Sequence, residues 1–210
     1  MKLPRFYPIL DTGTTLRRGV DPVDAARQIL AAGASILQFR HKDFWSRQTF
    51  STMEEIAALA RDAGAMFVVN DRADFARWAG AALHLGQDDL PPAEARRLVG
   101  AETVIGFSTH NEAQLHSAAA EPVDYLALGP MFGTASKENP DPVVGLDELR
   151  RLRPLTTRPL VAIGGITRAN AAQVLHAGAD SIAVIGDLFP GEGTIGARIE
   201  EWLRLTQPRS

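Results

Sequence analysis

Residues 66–71 read MFVVND, and the fold turns on how that run is understood. Four apolar residues in succession show no alternation with polar ones. A run of this length and kind marks a short strand buried on both faces, as strands of a parallel sheet are. It stops at Asn70, Asp71 and Arg72 with no spacer. A polar turn is the ordinary reading of such an ending. The sharper reading is a carboxylate held where a core strand opens onto a site.

Seven further runs of the same character flank it: FYPIL (6–10), SILQFR (35–40), ALHLG (82–86), TVIGFS (103–108), YLALGP (125–130), PLVAIGG (159–165) and SIAVIG (181–186). Helical patterns lie between most of them. One runs from about Pro22 to Ala32 and ends at Gly33; another follows Ser46, a suitable N-cap, and reaches Asp62 and Gly64. PPAEARRLV (91–99) carries prolines at its start, and a last helix is expected from about Thr194 to Leu205. Eight short strands, each followed by room for a helix or turn, predict an α/β fold, a compact (β/α)8 TIM barrel. The competitor, an open doubly wound sheet, would carry GxGxxG after its first strand, and none is there. No linker or low-complexity stretch breaks the pattern, so residues 1–210 read as a single domain.

Composition narrows the function. With 45% hydrophobic residues in 210, the chain can bury a sizeable core. A net charge of −3 argues against a dedicated nucleic-acid or membrane-surface binder, although basic pockets for anions remain possible. The chain has no cysteine, which removes disulfides, thiolate metal sites and cysteine nucleophiles. No window approaches a membrane span, and MKLPRFYPIL lacks the features of a signal peptide. A soluble cytoplasmic protein is the expectation.

In a barrel of this type the chemistry lies at the C-terminal ends of the strands. Those ends hold Gln38, Arg40 and Lys42; Asn70 and Asp71; Asp88 and Asp89; Ser108, Thr109 and His110; Thr134, Ser136 and Lys137; Gly164 and Gly165; and Gly186. Arg40, Lys42 and Lys137 suit a dense anion. Asp71 and Asp89 come from neighbouring strands and are hard oxygen donors for a shared divalent cation. Mg²⁺ commonly takes one or two carboxylates and completes its shell with water and phosphate. A diphosphate with Mg²⁺ explains cations and carboxylates together, and the glycines suit a second phosphate. Plainer readings hold elsewhere. Asp88 reads as a turn residue, His84 as a packed histidine, and Trp45, Trp78 and Trp202 as helix-packing residues. Alternation aims His41 away from Arg40 and Lys42.

QFRHKD, FVVNDRADFA, ALHLGQDDLP, IGFSTHNEAQL, DYLALGPMFGTASK, PVVGLDELR and VAIGGITRANAAQVLHAGAD together resemble the thiamine-phosphate synthase family across nearly the whole chain. The resemblance implies a transferase that joins 4-amino-2-methyl-5-(diphosphooxymethyl)pyrimidine to 4-methyl-5-(2-phosphooxyethyl)thiazole, giving thiamine monophosphate and diphosphate. It sets Gln38, Phe39, Arg40, His41, Lys42, Asn70, Ser108 and Lys137 around the pyrimidine diphosphate. Asp71 and Asp89 match Mg²⁺ ligands, and Thr134, Ala135, Ser136, Gly165, Ile185 and Gly186 match the thiazole-phosphate side. Arg40, Lys42, Lys137 and Ser108 are the implied catalytic set. In this family the bond to diphosphate breaks first, and the thiazole nitrogen captures the resulting cation, so no protein nucleophile is required. A homodimer is implied as well. The chain departs from the family pattern at His41, Gly133, Ser136 and Gly186, where Glu, Pro, Thr and Ser are usual. A thiazole tautomerase-like paralogue, a phosphosugar isomerase or epimerase on the same barrel, and a non-catalytic barrel binding a phosphorylated ligand are the alternatives.

Overall fold

A computed structural model describes residues 1–133 and 142–207. Eight strands form a closed barrel in sequence order, every neighbouring pair parallel. They are β1 (Phe6–Asp11), β2 (Ile36–Arg40), β3 (Met66–Asn70), β4 (Ala82–Leu85), β5 (Ile105–Thr109), β6 (Tyr125–Leu128), β7 (Leu160–Ile163) and β8 (Ser181–Val184). Around them lie α1 (Thr12–Arg18), α2 (Pro22–Ala31), α3 (Arg47–Asp62), α4 (Ala73–Ala79), α5 (Pro92–Val99), α6 (Glu112–Ala118), α7 (Gly145–Leu152), α8 (Ala171–His176) and α9 (Ile195–Thr206).

The expected N-caps act as such. Ser46 accepts from the Thr49 N–H, and Thr194 accepts from the Ala197 N–H. These side chains satisfy donors that a helix start would otherwise leave open. Three strands stop two residues before the expected end of their runs. YLALGP leaves the sheet after Leu128, PLVAIGG after Ile163 and SIAVIG after Val184. At β7 the cause is steric as well as conformational. Gly164 and Gly165 take φ of 96° and 65°, and a Cβ at Gly165 would lie 2.6 Å from the Gly133 carbonyl oxygen. Only glycine lets the chain after β7 lie so close to the loop after β6. That loop is tied to it by Met131 N–H to Ile163 O and Phe132 N–H to Gly164 O.

Both faces of the sheet are buried, for different reasons. Outward residues such as Leu10, Leu37, Phe39, Val69, Leu83 and Leu126 pack under the helices. Inward residues fill the lumen, with Tyr7, Ile9, Ile36, Val68, Ala82, Tyr125, Ala127, Val161 and Ala183 forming a second apolar cluster. The strict period of two therefore exists, although the sequence hides it because both faces are apolar at this level. Trp202 packs as expected, stacked on Phe6 at 5.3 Å. Trp78 is 69% exposed, yet it joins α4 to α3, meeting the Phe50 ring edge-on at 5.8 Å and donating to Glu54.

Gly106 on β5 has a distinct role. A Cβ there would lie 2.0 Å from the Tyr125 Cζ, so the missing side chain is the space that the phenol occupies. Gly106→Ala is expected to lower stability by about 2–4 kcal/mol through overpacking of the lumen. Urea denaturation measures it; an unchanged midpoint would show that Tyr125 can move aside.

Candidate active site

At the C-terminal mouth of the barrel lies a cavity of about 930 Å³, lined from the ends of all eight strands. Gln38, Arg40, Lys42, Asn70, Asp71, Asp89, Ser108, Gly165, Ile185 and Gly186 all line it. Phe39 and His41 do not line it. Phe39 is one residue out of phase, fully buried on the helix side with its ring edge on Trp45. His41 is turned aside by Thr12, whose Oγ1 lies 2.7 Å from Nδ1. Thr134, Ala135, Ser136 and Lys137 lie outside the described residues.

Arg40 and Lys42 are each held by a carboxylate. Arg40 donates from Nη1 to Asp11, the last residue of β1. Asp11 is buried and also caps α1, accepting from the Thr14 N–H at 2.8 Å and the Thr14 hydroxyl at 2.7 Å. Three donors compensate its burial, and the guanidinium keeps further N–H groups for a ligand. The sequence reading missed Asp11 because it ended the first strand at residue 10. Reading strand ends one residue further finds it.

Asp71 departs from β3 with φ of 65°, the sole described non-glycine residue at positive φ. Aspartate tolerates this region better than most residues, and strain of this kind persists where surrounding structure over-determines it. Here the Asp71 N–H is bound to the His84 carbonyl at 2.8 Å. The turn puts the carboxylate beside Lys42 Nζ, at 2.5 Å, and beside Asp89. Asp89 is itself fixed by accepting the Gly86 N–H at 2.6 Å. Burial first, and then the hydrogen bond that the protonated carboxyl gives to Asp89, push Asp71 up to about 6, against the pull of Lys42. Arg72 turns away from the site, paired with Asp74 and lying 4.0 Å over the Phe75 ring.

Among the described residues no group of three or more His, Asp or Glu side chains gathers as a metal cage. Two adjacent carboxylates that repel when both ionise fit instead a hard cation completing its shell from water and a phosphorylated ligand. Asn70 adds a donor: its buried Nδ2 has no hydrogen-bond partner among the described residues. On the opposite side, no described atom lies within 4 Å of where a Gly186 Cβ would stand.

His84 is more than a packed histidine. It faces the lumen, with Nδ1 3.0 Å from Tyr125 Oη and Nε2 2.9 Å from Ser108 Oγ. A serine and histidine in contact raise the question of a nucleophile. Burial, however, lowers the imidazole to about 4, and a phenol stands where an orienting carboxylate would be needed. The pair is unsuited to general-base activation of serine.

The comparisons with known proteins agree with this geometry. The family model described as thiamine monophosphate synthase matches residues 6–188. Over 195 residues the chain is 50% identical to the thiamine-phosphate synthase of Koribacter versatilis, covering 90% of each. It is 46% identical over 187 residues to that of Methanoculleus marisnigri, covering 89% of this chain and 88% of the relative. The solved thiamine phosphate pyrophosphorylase of Pyrococcus furiosus superposes with a TM-score of 0.84 at 31% identity, covering 96% of this chain and 95% of that one.

The raised Asp71 carboxyl makes a prediction about the metal-free protein. Its unfolded value is near 3.8 and its folded value about 6, so the folded state binds more protons between them. Stability contributed here is therefore lost as pH rises through that window. Asp71→Asn, which removes the charge and suits the same φ, is expected to stabilise the chelator-treated protein by roughly 1–3 kcal/mol at pH 7. The gain should vanish near pH 4. Urea melts at both pH values test it, and equal effects at the two would sink the charge argument.

Proposed function

The chain belongs to the thiamine monophosphate synthase family, and from that premise we propose that it joins the pyrimidine diphosphate to the thiazole phosphate, yielding thiamine monophosphate and diphosphate. The observation that carries this reading is the pairing of Asp71 and Asp89 on the same cavity wall as Arg40 and Lys42. An isomerase of phosphosugars has no use for that set, nor has a tautomerase, whose substrate carries no diphosphate.

Mg²⁺ held by Asp71 and Asp89 would neutralise the leaving diphosphate and polarise its departure. Every other contribution falls to side chains of the chain itself. Arg40, anchored at one nitrogen by Asp11, presents its remaining donors to phosphate oxygens. Lys42, paired with Asp71, is placed to give its ammonium to the diphosphate. Lys137 is assigned to the same anion. Asn70 and Gln38 orient the pyrimidine, and Ser108 donates a hydrogen bond to the substrate. On the far side, backbone N–H groups near Gly165, Ile185 and Gly186, with Thr134, Ala135 and Ser136, hold the thiazole phosphate. The acceptor nitrogen needs only positioning against the reacting carbon, because stabilising charge on the departing group supplies the rest.

The proposal extends to a homodimer in the cytoplasm acting on small phosphorylated substrates. Its support is the family and, for the absence of nucleic-acid or membrane partners, the net charge of −3. No described helix is long and apolar enough to cross a membrane.

Diphosphate release is the direct test, with both substrates and Mg²⁺ supplied. Turnover is expected to fall roughly 10²- to 10³-fold in Asp71→Ala and on chelation. Thiamine monophosphate formed at an undiminished rate without metal would remove the metal role, and no product with intact protein would remove the synthase reading. On the acceptor side, Gly186→Ser is expected to lower KM for the thiazole phosphate by about two- to tenfold, the worth of one added hydrogen bond. A raised KM would show that a side chain at 186 obstructs the ligand.

A further inference from the structure

Five side chains from five strands form one hydrogen-bonded chain across the lumen. Gln38 Nε2 on β2 donates to Tyr7 Oη on β1 at 2.9 Å. Tyr7 Oη lies 2.9 Å from Tyr125 Oη on β6. Tyr125 Oη lies 3.0 Å from His84 Nδ1 on β4, and His84 Nε2 lies 2.9 Å from Ser108 Oγ on β5. Tyr7 and Tyr125 are almost fully buried, as are Gln38 and His84. With these four so buried, each proton is assigned an acceptor within the network.

With the Gln38 amide nitrogen turned to Tyr7, the direction of the network follows by counting protons. Gln38 gives an N–H to the Tyr7 oxygen. The Tyr7 proton then goes to the Tyr125 oxygen, and the Tyr125 proton to His84 Nδ1. A neutral imidazole carries one N–H, which must therefore sit on Nε2 and point at Ser108 Oγ. Ser108, already accepting, has its own proton left for the cavity that it lines.

We propose that this relay makes Tyr7, Tyr125 and His84 positioning residues, which lock Ser108 as a hydrogen-bond donor to an acceptor atom of the bound substrate and bar it from acting as a nucleophile. The neutrality that the count assumes is independently favoured. Burial raises Tyr7 to about 12, raises Tyr125 well above its ordinary value, and lowers His84 to about 4. The ring geometry holds the relay in register: His84 stacks on Tyr125 at 5.6 Å, and Tyr7 meets Tyr125 edge-on at 6.2 Å. Gly106 leaves the space through which the Tyr125 hydroxyl reaches, since a Cβ there would fall 2.4 Å from Oη.

The tautomer is directly readable. With ¹⁵N-labelled histidine and the His84 resonances assigned through His84→Asn, the relay requires an unprotonated Nδ1 and a protonated Nε2 across neutral pH. A proton on Nδ1 would run the relay backwards, with Ser108 donating to His84, and would overturn the proposal. This arm needs no substrate and stands apart from the synthase reading. The kinetic arm rests on that reading and uses a double-mutant cycle of Tyr125→Phe and Ser108→Ala, read as KM and kcat for the pyrimidine diphosphate. Each single change is expected to cost about tenfold in kcat/KM, and the double change scarcely more than the worse single one. Multiplying losses, near a hundredfold, would show that the two residues act separately and would refute the relay.

Discussion

Closing eight short parallel strands on themselves forces alternate side chains of every strand into one shared lumen, and the site is built on that constraint. Low in the barrel the lumen is filled by apolar residues such as Ile36, Val68, Ala82 and Ala183. Higher up, the same positions two residues on become Gln38, Asn70 and His84, and above them Arg40. The chain crosses from dry core to polar site within a single repeat of the strand. The two phenols stand at that crossing, their rings in the apolar cluster and their hydroxyls in the hydrogen-bonded network.

Buried charge is managed by the same geometry. β1 and β2 pair in a register that puts Asp11 opposite Arg40, so the guanidinium meets its carboxylate without a long side-chain excursion. At the next seam, the turn after β3 brings Asp71 to Lys42 and to Asp89. The first pair is compensated by α1 as well, because Asp11 also accepts from Thr14. The second is left under tension by the neighbouring carboxyl. One pair is structural in character, and the other is poised to change partners.

Much of this was legible in the sequence. The eight apolar runs announced the barrel, and the rule of reading strand ends found Gln38, Arg40, Lys42, Asn70, Asp71, Asp89 and Ser108, all on the cavity wall. Proximity in sequence was the poorer guide. Phe39 and His41 sit among site residues yet point elsewhere, since a period of two sends Phe39 to the helices and Thr12 captures His41. Tyr7 and Tyr125 stand low on their strands and look like plain core, because only the folded barrel brings their hydroxyls to Gln38 and His84. A glycine inside β5 was the visible trace of that arrangement, and its meaning needed the partner across the register.

The two walls of the cavity differ in how firmly they are committed. From β1 to β6 nearly every polar side chain facing the lumen is already bound to another one, so altering one disturbs its neighbours. Along β7 and β8 the wall carries Ile163, Gly164, Gly165, Ile185 and Gly186, and no described atom lies within 4 Å of where a Gly186 Cβ would stand. Selection could therefore retune what is accepted on that side by single, sterically cheap replacements while the opposite wall stays fixed. The barrel joins a conservative half to an adaptable one, and new acceptors would be expected to arise on the adaptable side.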